Sequence, residues 1–235
     1  MRTAQEEGPA FGIVLNEAKC KLVVDPANVH VTERMVAGTQ LKVVTSARSL
    51  GALIGPPAAR EAYLAELVAT KADDVRKVAA AAPNNPHAVY YVHTVALQPT
   101  WTFAQRVVKC EDAAATYGPL EQAIRTATIP RVTGWGLLLP ADREMLALPV
   151  RNGGMAIGNP TETAAAHYAA SDAATAVLQV LQMEGAKLEP ELIDAHNKSF
   201  GKVTGKCKNE RHEAQAKKAE ALGRGPAQAS AAAPG

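Results

Sequence analysis

The sequence predicts an α+β protein that is predominantly α, built from a short N-terminal β element, a helical bundle and a disordered C-terminal tail. Three observations carry that expectation. Short β-branched runs are confined to the first quarter of the chain. From Glu61 onward, apolar residues recur at three- and four-residue steps. The stretch Gly223 to Gly235 is rich in Ala, Gly and Pro and almost uncharged. With 235 residues, 47% of them hydrophobic, the chain is long enough to bury roughly 70% of the surface it would expose unfolded, without help from disulfides or metals.

Ile13 and Leu15, then Leu22, Val23 and Val24, flank a polar stretch, and Leu41, Val43 and Val44 follow after a connection that contains Pro26 and Gly38. These read as short strands. Leu50 to Gly55, closed by Pro56-Pro57, reads as one more extended segment whose glycines permit close backbone approach. Leu64, Leu67, Val68, Val75, Val78, Ala79 and Ala82 then define an amphipathic helix that leaves Lys71, Asp73, Arg76 and Lys77 outward. Pro83 ends it, and Asn85-Pro86 supplies an N-cap with proline at the first helical position.

The next helix runs toward Arg106 and is expected to kink or break at Pro99, which lacks an N–H and crowds the preceding turn. Gly118-Pro119 is expected to open a further helix and Ile129-Pro130 to close it. A short helix spans Ala141 to Leu148, and Asn159-Pro160-Thr161 caps a long alanine-rich helix. Its buried side is expected at Tyr168, Ala169, Val177, Val180, Leu181 and Met183, with Gly185 ending it. Pro190 starts another helix, and Lys206 to Leu222 is helix-prone but polar all round. The division expected is residues 1–57 for the β-rich part, 58–200 for the helical region, and 201–235 for a basic helix-prone segment with its tail.

Composition narrows the function. A formal charge of +2 does not mark a basic protein in bulk, though the C-terminal cluster Lys202, Lys206, Lys208, Arg211, Lys217, Lys218 and Arg224 is locally positive. Three cysteines, Cys20, Cys110 and Cys207, match no metal-ligand spacing and point to a reducing compartment. There is no apolar leader and no window of eighteen apolar residues, so the expectation is a cytoplasmic or nuclear protein, neither secreted nor in a membrane.

The candidate chemistries fail one by one. Asp73-Asp74 point about 100° apart on a helix and make a poor metal pair. Gly201-Lys202-Val203-Thr204-Gly205-Lys206 resembles a phosphate loop, but its glycines are one residue too close and Cys207 replaces the hydroxyl. His87 and His93 lie six apart without the acidic residue of a zinc-protease pattern, and read as capping or core residues. No metal ligands and no small-molecule site emerge, which leaves a protein that grips a partner.

The order of segments goes further. Phe11-Gly12-x3-Asn16-x2-Lys19, then Leu50-Gly51-x2-Ile54-Gly55, are followed by Pro86-His87-Ala88-x-Tyr90 and Trp101-Thr102-Phe103-x2-Arg106. Pro119-Leu120-Glu121-x-Ala123-Ile124-Arg125-x3-Ile129-Pro130-x2-Thr133-Gly134 comes next, and then Arg143-Glu144-Met145-Leu146-Ala147-Leu148-Pro149-x-Arg151-x-Gly153-Gly154-x2-Ile157-x-Asn159-Pro160. Together these blocks resemble the C-terminal palm segment, thumb and post-thumb region of retroelement reverse transcriptases, over about residues 11–211.

The resemblance implies roles. Residues 1–57 would be a palm remnant. Lys19 would lie on the nucleotide side, where an ammonium stabilises departing pyrophosphate. Leu50, Gly51 and Gly55 would form a primer-grip turn, with backbone close to the primer end. The thumb would contact the phosphates of an RNA/DNA template–primer duplex through Lys71, Arg76, Lys77, Arg106, Lys109 and Arg125. Trp101 and Phe103 read as core residues, and Arg151 as structural.

The family's Tyr-x-Asp-Asp turn has no counterpart in this sequence, and Cys20 stands where Thr or Ser commonly follows the motif lysine. The expectation is therefore a template–primer binding piece without catalytic aspartates, inactive alone. It would lack its N-terminal palm and fingers and hold no cofactor, the parent enzyme using magnesium. The alternative is a standalone helical adaptor that docks a protein through Lys206 to Leu222.

Overall fold

In the computed structural model, residues 8–12, 14, 16, 19–136, 138–183 and 189–223 are described. The chain divides into two compact units, residues 1–63 and 64–235. Ile13, Leu15, Gly185 and all of the tail beyond Gly223 lie outside the described residues. The architecture is the mostly helical α+β one, with four three-residue strands and several long helices among the described residues.

In the first unit, β1 (Lys21–Val23) pairs in parallel with β2 (Lys42–Val44), with Leu22 opposite Val43. A parallel pair needs a crossover. The connection that contains Pro26 and Gly38 supplies it as a 3-10 turn, Pro26–Asn28, and a helix, α1 (Val29–Met35). The Asp25 carboxylate starts the crossover by accepting the Ala27 N–H at 2.9 Å.

The segment Leu50 to Gly55 is not one extended piece. It belongs to an antiparallel hairpin of β3 (Ala47–Ser49) and β4 (Ala52–Ile54), in which Ser49 faces Ala52. Leu50 and Gly51 are the two loop residues, with φ of 49° and 83°. Positive φ at both centres matches the right-handed twist of the flanking strands, and it favours glycine at the second position. Gly55 is needed for a different reason: a Cβ there would lie 2.6 Å from the Ser46 Cβ.

Pro57 opens α2 (Pro57–Ala81) instead of closing the extended segment, because proline's missing N–H is harmless in a first turn. Leu64, Val68, Ala72, Val75 and Ala79 form its buried stripe. Asn85 caps α3 (Pro86–Tyr91) as the sequence predicts, its side chain accepting the Ala88 N–H at 3.0 Å.

Pro119 and Pro130 behave differently from expectation, and Pro99 interrupts its helix without ending the helical run. Pro99 does not break the chain, which passes from α3 through a π-helical turn, Val92–Leu97, into α4 (Gln98–Val107). Pro119 lies inside α5 (Ala113–Ala123), which Asp112 caps by accepting the Ala115 N–H. Pro130 does not close a helix either. A second π-helical turn, Ile124–Thr128, leads into α6 (Ile129–Thr133), which ends at Gly134 with φ 75°. Both π-turns have one cause. A proline ring collides with the carbonyl four residues back, here that of Val95 or Thr126, and each of these lies in the widened turn that moves it aside.

α7 (Pro140–Ala147) precedes a 3-10 turn, Val150–Asn152, and then α8 (Pro160–Met183) begins. Asn159 caps α8 through its Oδ1, which accepts from the Thr161 N–H at 3.0 Å and hydroxyl at 2.7 Å. α8 packs against α4, α5 and a last helix, α9 (Pro190–Ala221). Its buried residues include Pro160, Ala164 and Ala174, whereas Ala169 and Val180 are exposed. Small side chains suit a helix covered on several sides, since they let neighbouring backbones approach. α9 runs unbroken through residues 200 and 201.

Candidate functional site

The most constrained place in the second unit is the connection between α7 and α8. Gly153 takes φ 78°, and a Cβ on Gly154 would lie 2.1 Å from the Leu148 carbonyl oxygen. That absence of a side chain lets the chain fold back. The N–H groups of Met155 and Ile157 both donate to the Leu146 carbonyl, at 3.2 and 3.1 Å, and that of Ala156 to the Leu148 carbonyl at 2.8 Å. Ala156 is itself held at φ 54°, a conformation that non-glycine residues adopt only when their surroundings impose it.

Side chains from two other helices, α3 and α4, impose it. The Tyr90 hydroxyl donates to the Met155 carbonyl at 3.0 Å. Gln98 bonds both ways, Nε2 to the Ala156 carbonyl at 3.1 Å and Oε1 from the Gly158 N–H at 2.9 Å. Gln105 Nε2 donates to the Pro160 carbonyl at 2.8 Å. Its Oε1 accepts from Thr163 and, at 2.8 Å, meets His167 Nδ1. With the amide oriented by Pro160, Nδ1 of His167 carries the proton.

Arg143 holds the same segment from beneath. It is 2% exposed, and its Nε and Nη2 donate to the two oxygens of Glu121 at 2.7 and 2.8 Å. Nη1 and Nη2 also donate to the carbonyls of Ile157, at 2.8 Å, and Gly158, at 3.1 Å. A buried charge of this kind is tolerable only when it is paired and its N–H groups are used. This pair is not among the site residues expected from the sequence, although the sequence carries a signal for it. Glu121 falls on the stripe of Tyr117, Leu120 and Ile124, all buried, and a carboxylate on an apolar stripe demands a buried cation.

The two π-turns meet beside this network. His93 of the first is wholly buried, its Nδ1 lies 3.4 Å from the Thr128 hydroxyl of the second, and its ring tilts against Trp101 at 5.5 Å. Nε2 finds no hydrogen-bond partner among the described residues. Burial, and secondarily the Arg143 charge, lower the His93 pKa from 6.5 to about 4. His167 falls to about 4 as well, again through burial first and then through Arg106 and Arg211. His93 is thus a neutral core residue, as is Trp101, but Phe103 is 46% exposed and does not join the core.

The residues expected to touch nucleic acid are placed unevenly. Lys19 is exposed. In the first unit, Leu50 stands at the hairpin tip, 95% exposed, and the carbonyl of Gly51 accepts the Tyr63 hydroxyl at 2.8 Å. In the second, Lys71 is paired with Asp74 at 2.9 Å, Arg76 with Asp73 at 2.8 Å and Lys109 with Glu111 at 3.2 Å. Arg125 is half-buried and donates to the Leu138 carbonyl at 3.4 Å. Lys77 and Arg106 are exposed and enter no ion pair among the described residues.

Asp73 and Asp74 each face a cation, and among the described residues no three His, Cys, Asp or Glu side chains gather to hold a metal ion. Cys20, Cys110 and Cys207 are free thiols. Among the described residues, no helix is long and apolar enough to cross a membrane. No family model, curated protein or solved structure matches the chain.

Proposed function

We propose that this chain is the C-terminal palm segment, thumb and post-thumb region of a retroelement reverse transcriptase, and that it binds an RNA/DNA template–primer duplex without catalytic aspartates of its own. One observation supports the reading above the others. The blocks that carry the resemblance are far apart in sequence, yet Tyr90, Glu121, Arg143, Gly154, Ile157 and Pro160, drawn from three of them, meet around a single clamped segment. Matches arising by chance would have no reason to share one buried network.

In this reading the clamp is the rigid base of the thumb, and the exposed cations Lys77 and Arg106 lead its contact with phosphates. The paired cations Lys71, Arg76 and Lys109 would first have to exchange a carboxylate for a phosphate. Synthesis of DNA, with magnesium, would belong to the parent enzyme and to carboxylates that this chain does not provide. Such a protein would work in the cytoplasm or nucleus.

The test is a binding isotherm of the full chain on a fluorescent RNA/DNA template–primer, followed by anisotropy across a salt series. Phosphate contacts make log affinity fall linearly with log salt, and K77Q/R106Q should flatten that slope by about 1 to 2. The same samples, given magnesium and deoxynucleotides, should extend no primer. A K77Q/R106Q slope equal to that of the wild type, or primer extension by the unaided chain, refutes the proposal.

A further inference from the structure

In α2, Lys71 and Arg76 are each met by an acid of the same helix, whereas most lysines in the middle of α9 are not. Residues 195–209 contain Lys198, Lys202, Lys206 and Lys208 and no Asp or Glu. All four lysines are exposed. Among the described residues, their one ion pair is Lys206 with Glu210, at 3.8 Å and well exposed to solvent, where such a pair counts for little. The unbalanced positive charge of the second unit is therefore concentrated here.

The spacing adds geometry to the charge. Lys198, Lys202 and Lys206 follow one another at four-residue steps, so they line one side of the helix at a rise of about 6 Å each. Gly201 and Gly205 fall on the same side between them, and nothing lies within 4 Å of where a Cβ would stand on either. Glycine inside a helix is unfavourable, and here no neighbouring element among the described residues occupies the space it leaves. The result is a bare strip of helical backbone bordered by ammonium groups.

The far half of α9 is fastened down. Lys218 bridges Glu162 at 3.1 Å and Glu144 at 3.6 Å, Arg151 donates to Gln215 at 3.0 Å, and Ala219 is buried. The lysine strip is thus carried on a helix anchored at its C-terminal end. Just beyond the strip, the His212 pKa is lowered by partial burial and then by Arg151, Lys208 and Arg211, in keeping with a positive local field.

We infer that the α9 face formed by Lys198, Gly201, Lys202, Gly205 and Lys206 is a docking surface for a nucleic-acid phosphate backbone. Successive ammonium groups meet successive phosphates, and the missing side chains let the strand lie close to the helix. The partner is of the class proposed above, but the residues that hold it are different from Lys77 and Arg106. A second copy of the helix is a poorer occupant, since three lysines would face three lysines.

The experiment measures binding of the full chain to a labelled single strand and a labelled duplex across a salt series. K198Q/K202Q/K206Q changes only exposed side chains; it should weaken binding about ten-fold or more at low salt and reduce the log–log slope by about 2 to 3. G201A/G205A should raise the melting temperature while weakening binding, a combination that a merely structural role would not produce. Loss in the lysine variant alone, with K77Q/R106Q unchanged, supports this surface and removes the α2 and α4 reading; the reverse pattern removes this one. An unchanged slope in the lysine variant overturns the inference. So does concentration-dependent dimerisation that G201A/G205A abolishes, which would give the face to a helix–helix contact.

Discussion

Arg143 and Glu121, twenty-two residues apart, form a bidentate pair at 2.7 and 2.8 Å in which the arginine is 2% exposed. The pair does more than neutralise itself, because the remaining guanidinium donors fix the carbonyls of Ile157 and Gly158. Arg143→Met should cost about 3–5 kcal/mol in urea unfolding, since Glu121 would be left charged and buried without a partner. Glu121→Leu combined with Arg143→Met should recover part of that loss. A double variant no more stable than Arg143→Met would mean that the carbonyl contacts, and not the ion pair, carry the cost.

Gly154→Ala should be among the most damaging single-methyl additions in the chain. Its Cβ would lie 2.1 Å from the Leu148 oxygen and 2.5 Å from the Leu148 carbonyl carbon, both backbone atoms that cannot rotate away. A loss of about 3 kcal/mol or more is expected, at the upper end for overpacking. A thermal melt within a degree or two of the wild type would contradict the fold of residues 148–157.

Acid should loosen the second unit through His93. Its folded pKa of about 4 lies below the ordinary 6.5, so between these values the unfolded chain binds a proton that the folded chain refuses. Stability from this group is therefore complete above about pH 6.5 and is lost as the pH falls toward 4, by on the order of 3 kcal/mol. His167 acts in the same direction in the same window. Denaturant midpoints for the wild type and His93→Asn, compared at pH 7 and 4.5, should show the variant less sensitive to acid; equal slopes would place the acid-sensitive group elsewhere.

Leu50 sits at φ 49° and 95% exposed, a conformation and an environment that both disfavour leucine. Leu50→Asn suits a turn with positive φ at both centres and should stabilise the hairpin by about 0.5–1 kcal/mol. If the exposed leucine serves the proposed primer contact, the same substitution should weaken template–primer binding while raising stability. Stability and binding that both stay unchanged would refute that turn geometry and leave the side chain without a role.

The sequence by itself determined two helix starts and the core stripe of α2. Asn85-Pro86 and Asn159-Pro160 cap their helices as read, and the stripe of Leu64, Val68, Val75 and Ala79 is buried. Those outcomes depend on partners within a few residues, so local pattern suffices. The tertiary structure alone decided the fates of Pro99, Pro119 and Pro130, the partner of Glu121, and the exposure of Phe103 and Val180. Pro99 and Pro130 continue a helical run through widened turns that distant neighbours hold, and Pro119 does so without one. A buried carboxylate is satisfied only by an arginine that folding brings to it. The widened turns and the ion pair are settled by contacts between distant segments, and periodicity along one helix carries no information about what will face it.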